Sequence, residues 1–406
     1  MKKKSRKKYH KKRKLNYKRV FVFLAIIFLL FYLLISGFSK MFSNLKHTET
    51  TSKPDLPKDT TINMAVIGDI MCHTTNFQDA YNSETKTYDF SYVFSDIENY
   101  IQNADIAIGN LETTFAGEEI GYSGYPTFNT PEQLAQNIKD LGIDVVSTAN
   151  NHSLDKRYAG LVSTLDELDK AGISHTGTYR SDEEQNTIIT KNINGITIAF
   201  LSFTYGTNGI PVPYGKDYLV NLWDDINNYE GYKEKVINDI NNLRDKVDIL
   251  MVAMHWGREY TFVPTDIEKE TAKFLADNNV DIIIGTHPHV IQPVEWIDDT
   301  LVIYSLGNFI SAQNSESCTN YKCNIGLMTS LTINKREEED KIDIKIDNIK
   351  NELIYTYHNN YHDYLVIPFS NNEIKTHLNN YENIYNEYAN IIASSDERIT
   401  TVALVN

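Results

Sequence analysis

Five short apolar runs of this sequence each end on side chains able to bind a divalent cation or move a proton. VIGDIMCH carries Asp69, IAIGNLET carries Asn110 and Glu112, VVSTANNH carries Asn150, Asn151 and His152, LMVAMHW carries His255, and IIIGTHPH carries His287 and His289. Carboxylate, amide oxygen and imidazole together suit Mn²⁺, Fe or Zn²⁺ and are poor for copper(I) or iron–sulfur clusters. Taken singly, an Asp or Asn after a strand is ordinarily a turn or cap residue. A lone strand-end histidine is ordinarily hydrogen-bonded structure. His-x-His around a proline is more specific, because Pro288 fixes its own φ and can hold two imidazoles at a set angle. The conjunction outweighs the ordinary readings, since accident does not readily place ligand-type side chains at so many strand ends.

Convergence of these residues needs parallel strands, because ligands in open α/β sheets bind outside the strands' carboxyl ends. The pattern supplies them. Runs such as INMAVIGD, DIAIGN, ITIAFLSF, DILMVAMHW and DIIIGTHPH are apolar on both faces, as buried central strands are. They alternate with amphipathic stretches at 131–141, 155–171, 229–245 and 264–278, which predicts α/β layers. After Gln313 the texture changes to alternating segments that read as antiparallel strands over 325–370, and 380–393 reads as a helix. The expected organisation is a main domain over 62–335, followed by C-terminal strands and a helical appendage over 336–406.

The ordered set Gly-Asp, Asn-Leu-Glu, Asn-Asn-His, His-Trp-Gly-x-Glu and Gly-x-His-Pro-His, with Leu-Gly-Asn-Phe at 306–309, resembles the calcineurin-like metallophosphoesterases. Within them it is most similar to the poly-γ-glutamate capsule synthesis branch (CapA/PgsA type), over about residues 62–312. The resemblance implies a four-layer α/β/β/α sandwich with two divalent metal ions along the strand ends. It implies Asp69 and His289 on one metal, Asn151, His255 and His287 on the other, and Glu112 bridging. Two cations about 3.5–4 Å apart would present a hydroxide nucleophile and neutralise the oxyanion opposite. His152 would protonate the leaving group or stabilise the transition state. Asp155 would complete this catalytic pair and Asn150 would help orient it.

Substrate contact is expected from Asn110, Asn150, Trp256, Arg258, Glu259 and Asn308. Arg258 could clamp a phosphate or carboxylate bidentately, or form a surface ion pair with Glu259. Two motifs depart from the family pattern. Position 71 is Met where classical calcineurin-like metallophosphoesterases have the histidine of Asp-x-His, and the nearest imidazole is His73. Asn110 stands where the family has Asp, so either Asn110 or Glu112 is the bridge; an anion is the better partner for two dications. Cys72 reads as a buried small hydrophobe before a soft extra ligand.

The charge distribution sets the scene for this chemistry. Of 406 residues, 1–19 hold 12 Lys/Arg and no acid, 20–38 hold no charge, and the remainder carries 27 basic against 54 acidic residues, a net −27. The 19-residue apolar run is long enough to span a bilayer, at roughly 1.5 Å per helical residue. The basic tail then stays in the cytoplasm and the main domain lies outside, on a linker over 39–61. Beside a span, the basic run reads as a topology determinant touching anionic lipid and not as a nucleic-acid surface. The remaining cysteines, Cys318 and Cys323, suit either one small disulfide or two thiols. Three functions compete: a hydrolase or transferase on poly-γ-glutamate or a related anionic envelope molecule, a catalytically silent scaffold among capsule synthesis membrane proteins, and a generic extracellular phosphodiesterase.

Overall fold

The computed structural model describes residues 59–223, 229–313, 318, 322–338 and 341–405. The expected basic tail, apolar span and most of the linker lie outside the described residues. Among the described residues no helix is long and apolar enough to cross a membrane.

Two mixed sheets form the body. The first contains β1 (Asp59–Ile70), β4 (Ile106–Leu111), β5 (Val145–Ser147) and β6 (Ser174–Thr176) side by side and parallel. On the other side of β1 it continues antiparallel through β14 (Ile325–Glu338), β15 (Lys341–Asn359) and β16 (His362–Pro368), while the short β13 (Asn308–Ile310) runs parallel to the end of β1. The alternating segments after residue 324 therefore extend the first sheet. The second sheet holds β8 (Ile196–Thr204), β9 (Ile249–His255), β10 (Ile282–Thr286) and β12 (Thr300–Ile303) in parallel. Antiparallel edges β7 (Ile189–Ile193) and β11 (Val294–Ile297) flank it. A separate hairpin pairs β2 (Tyr81–Asn82) with β3 (Thr87–Tyr88).

Strands apolar on both faces need cover on both, and three clusters provide it. Between the sheets, Met64, Val66 and Ile108 from the first pack in one cluster with Ile198, Met251 and Ile284 from the second. Outside the first sheet, Leu134 and Ile138 of the helix Gln133–Leu141 join Leu161 and Leu165 of the helix Arg157–Ala171. Outside the second, Val236 and Ile240 of the helix Tyr229–Leu243 join Ala272 and Leu275 of the helix Asp266–Asp277. Each fully buried Leu or Ile stabilises this arrangement by about 1.5–3 kcal/mol. The C-terminal helix Tyr381–Ile392 adds Ile384, Tyr388 and Ile392 to the inter-sheet cluster.

Register places the polar residues. Asp69 pairs with Asn110 across β1 and β4, and with Asn308 across β1 and β13. His255 pairs with Thr286 and with Thr204 in the second sheet. Gly68 permits the approach of β1 to the 306–308 segment, because a Cβ there would fall 1.9 Å from the Gly307 carbonyl oxygen. Across that gap the Asp69 N–H donates to Gly307 O at 3.0 Å.

Candidate metal centre

The two sheets bring their parallel strand ends to one place, and the ligand-type side chains meet there. Glu112 is the hub. It follows β4, is 0% exposed, and belongs to both groups whose ligand atoms lie within 4.8 Å of one another: Asp69, Glu112 and His255, and Glu112, His287 and His289. Its Oε1 is 3.7 Å from His255 Nε2 and 3.8 Å from His289 Nε2, and neither carboxylate oxygen has a hydrogen-bond partner. Burial holds its carboxyl well above the usual range, and the Asp69 charge pushes the same way.

Asp69 is tied on both sides. Its Oδ1 accepts from Asn110 Nδ2 at 2.8 Å, and its Oδ2 lies 3.2 Å from His289 Nδ1. His289 Nδ1 is also 3.0 Å from Asn308 Oδ1, and the Asn308 amide donates to Ser311 Oγ, Gln313 Oε1 and Cys323 O. His255 Nε2 lies 2.9 Å from Asn151 Oδ1, with its Nδ1 2.9 Å from Thr286 Oγ1. His287 and His289 have φ of 99° and 57°, the left-handed region in which a non-glycine residue stores strain of order 1–3 kcal/mol. His287 Nδ1 is buried without a partner. Burial, then the neighbouring imidazoles, keep His255 and His287 well below the ordinary histidine range, so both stay neutral and able to ligate.

Beside this cluster His152 Nδ1 lies 2.7 Å from Asp155 Oδ2, an oxygen that also accepts the Phe128 N–H at 2.7 Å. The edge of the Phe128 ring packs on the imidazole at 4.7 Å. The Asn150 Oδ1 accepts the His152 N–H, and its Nδ2 donates to the Leu111 carbonyl, linking the β4 and β5 ends.

The structure thus brings together Asp69, Asn110, Glu112, Asn150, Asn151, His152, Asp155, His255, His287, His289 and Asn308. Trp256 is not among them: its indole is buried in the outer cluster of the second sheet and donates to Tyr304 O at 2.9 Å. Arg258 and Glu259 are exposed and no ion pair joins them. His73 does not replace the missing Asp-x-His ligand. Its Nδ1 accepts the Ala312 N–H at 3.2 Å, and burial, followed by the charges of His289 and His152, lowers it to about 3. Cys72 is buried in the core of the first sheet, its thiol pushed up to about 12 by burial. Cys318 and Cys323 are joined as a disulfide.

Sequence reasoning passed over Thr286, Asn208 and Tyr205. Asn208 Oδ1 accepts from Asn151 Nδ2 at 3.2 Å and its own amide lies 3.5 Å from His152 Nε2. The Tyr205 ring packs 4.7 Å from that of His287. Both tyrosine and asparagine follow β8, whose carboxyl end belongs to the same edge; that was the available signal.

Fold and site together define a mixed α/β protein with a candidate metal centre where two sheets present their strand ends. Residues 63–313 match the family model described as bacterial capsule synthesis protein PGA_cap, and the chain belongs to that family. It is similar to the PGA biosynthesis protein CapA of Bacillus subtilis (strain 168), at 29% identity over 305 residues that cover 74% of each chain. It is also similar to the capsule biosynthesis protein CapA of Bacillus anthracis, at 25% identity over 280 residues, covering 66% of this chain and 64% of that one. Among solved structures it resembles the calcineurin-like phosphoesterase YfkN from Bacillus subtilis, at 13% identity and a TM-score of 0.41, covering 81% of this chain and 99% of that one.

Proposed function

We propose that this chain is a membrane-anchored, extracellular protein of capsule (poly-γ-glutamate) synthesis or export that acts as a metal-dependent hydrolase through two divalent cations. The observation that carries the reading is Glu112, fully buried between two ligand groups with both carboxylate oxygens unpaired. A buried carboxylate in that state is costly unless a cation meets it. By the resemblance, Asp69, His289 and Glu112 would hold one ion and Asn151, His255, His287 and Glu112 the other; by proximity the ligand atoms group instead as Asp69, Glu112 and His255 and as Glu112, His287 and His289, with Glu112 shared in either division. When bound, such ions supply Lewis-acid polarisation of the bond to be broken and a lowered pKa for attacking water.

The chain's own groups do the rest. Asp155 fixes the His152 ring through Nδ1 and faces it with a carboxylate that would balance an imidazolium, whose Nε2 proton would go to the leaving group as the ring returns to neutral. Asn110 and Asn308 hold Asp69 and His289 in place. The extracellular setting is supported by the disulfide, which persists in oxidising compartments, and by the 12 basic residues before the apolar run.

A second reading, a silent scaffold in a capsule synthesis complex, is favoured by Met71 where classical calcineurin-like metallophosphoesterases have a histidine and by the engagement of His73 with Ala312. Elemental analysis of the metal-reconstituted full-length chain separates the two. About two ions per chain, with cleavage of γ-linked polyglutamate, is the expected result. No bound metal promotes the scaffold, and cleavage of an aryl phosphodiester alone moves the protein to general phosphodiester hydrolysis.

A further inference from the structure

Next to the imidazole cluster is a pocket of about 440 Å³ that the mechanism above leaves unused. His255 and Tyr205 line it and also pack on the cluster, so pocket and metal centre share a wall. Trp223, Met254 and Trp256 give it apolar surface. Its polar wall is the start of the helix Asp266–Asp277, where Glu268 closes a capping box with Thr265. Capping uses one carboxylate oxygen, Oε2, which accepts the Thr265 N–H at 2.6 Å. The other, Oε1, makes no well-formed hydrogen bond, although the Gln292 side chain lies near enough to favour the charged form, and the Thr271 hydroxyl makes none; both residues are only 1% exposed.

Gly257, which also lines the pocket, packs its backbone directly against this carboxylate: a Cβ there would fall 2.3 Å from Glu268 Oε1, so only glycine leaves room beside it. A helix start alone would favour an anion. Here the first turn already carries Asp266 and Glu268, so the unmet demand is for a donor, best a cationic one against aromatic walls. Arg258, exposed at the same pocket and in no ion pair among the described residues, supplies the complementary site for a carboxylate.

We propose that this pocket receives the terminal amino-acid unit of the substrate, with its ammonium on Glu268 and Thr271 and its α-carboxylate on Arg258. The identity of the polymer rests on the function proposed above. In a γ-linked glutamate chain only the amino-terminal unit carries a free ammonium, beside a free α-carboxylate. Every interior unit is purely anionic. Recognition of that one cationic group reconciles a net −27 beyond the apolar run with a polyanionic ligand, and it makes engagement start from the amino end.

Calorimetry on the full-length chain tests this with γ-glutamyl-glutamate, its N-acetyl derivative, and norleucine as a zwitterion lacking the γ-carboxyl. N-acetylation is expected to weaken binding at least tenfold. Glu268→Gln should erase that difference, and Thr271→Val, which leaves the Thr265 cap intact, should shrink it several-fold. Arg258→Ala should weaken both peptides alike. Equal affinity for free and acetylated peptide, or discrimination that survives in both the Glu268 and Thr271 variants, overturns the assignment. Norleucine bound in a Glu268-dependent way while the γ-peptide is not would keep the pocket and sink the polymer. Failure of all three ligands would sink the pocket, leaving metal content and turnover to judge the function.

Discussion

Replacing Glu112 by Gln should make the metal-free protein more stable and the metal-loaded protein less so. In the metal-free chain both Glu112 oxygens are buried and unpaired, with the Asp69 carboxylate as neighbour. An unsatisfied buried polar group costs about 1–3 kcal/mol; the Glu112 carboxyl must take up a proton to sit there without a cation, whereas the amide is neutral already and carries donors that Asp69 can accept. A gain of roughly 1–3 kcal/mol follows for the variant, or at least a few degrees in melting temperature at about 2 °C per kcal/mol for a body of this size. Cations reverse the order. At a hundredfold excess over its dissociation constant, one ion adds about 2.7 kcal/mol to whichever form binds it, and Glu112 sits in both ligand groups. Thermal melts of chelator-treated and Mn²⁺-loaded chain, wild type against Glu112→Gln, should therefore cross. Melting curves in the same order under both conditions would refute Glu112 as a shared ligand.

Three further outcomes are expected. His152→Ala should leave bound metal unchanged while lowering turnover roughly 10²–10⁴-fold, the scale of a general acid, as judged by elemental analysis beside single-turnover rates. Glu352, buried on β15 and raised to about 7 mainly by burial, holds its proton in the folded state. Its stabilising contribution is full below about pH 4.5 and lost as pH rises to about 7, some 3 kcal/mol by the free energy of such a shift. Urea melts from pH 4.5 to 8 should show that loss, and Glu352→Gln should flatten it. Protease added to intact cells should digest the chain beyond the apolar run and spare residues 1–19, since a Lys or Arg at mid-membrane costs roughly 2.5–3.5 kcal/mol; impermeant labelling of a cysteine placed at Ser5 would reverse the orientation.

Strand ends were readable because apolar runs on both faces stop abruptly at polar residues, and parallel strands must deliver those residues to one edge. Asp69, Glu112, His255, His287 and His289 met on that logic. What stayed hidden depends on contacts between distant segments. Trp256 follows a ligand-type histidine, yet the alternation of a strand turns its indole to the opposite face, toward Tyr304. His73 lies near Asp69 in sequence, yet the Ala312 N–H claims its ring nitrogen. No local pattern reports either pairing. The disulfide was undecidable from spacing, and the Asn208 contact to His152 crosses 56 residues.

The centre divides by origin. Asp69, Glu112 and Asn151 stand at or just after the ends of strands of the first sheet, while His255, His287 and His289 do so in the second. Within the two ligand groups the negative charge comes from the first 112 residues and the ring nitrogen from the stretch after 254. Over evolutionary time these two inheritances can drift apart. Substitutions in the early stretch alter how much cationic charge the centre tolerates, and those in the later stretch alter which metal it prefers. The Met at position 71, where classical calcineurin-like enzymes carry a histidine, is a loss of ring nitrogen and not of charge, so the early stretch keeps its carboxylates while supplying no imidazole to the two ligand groups.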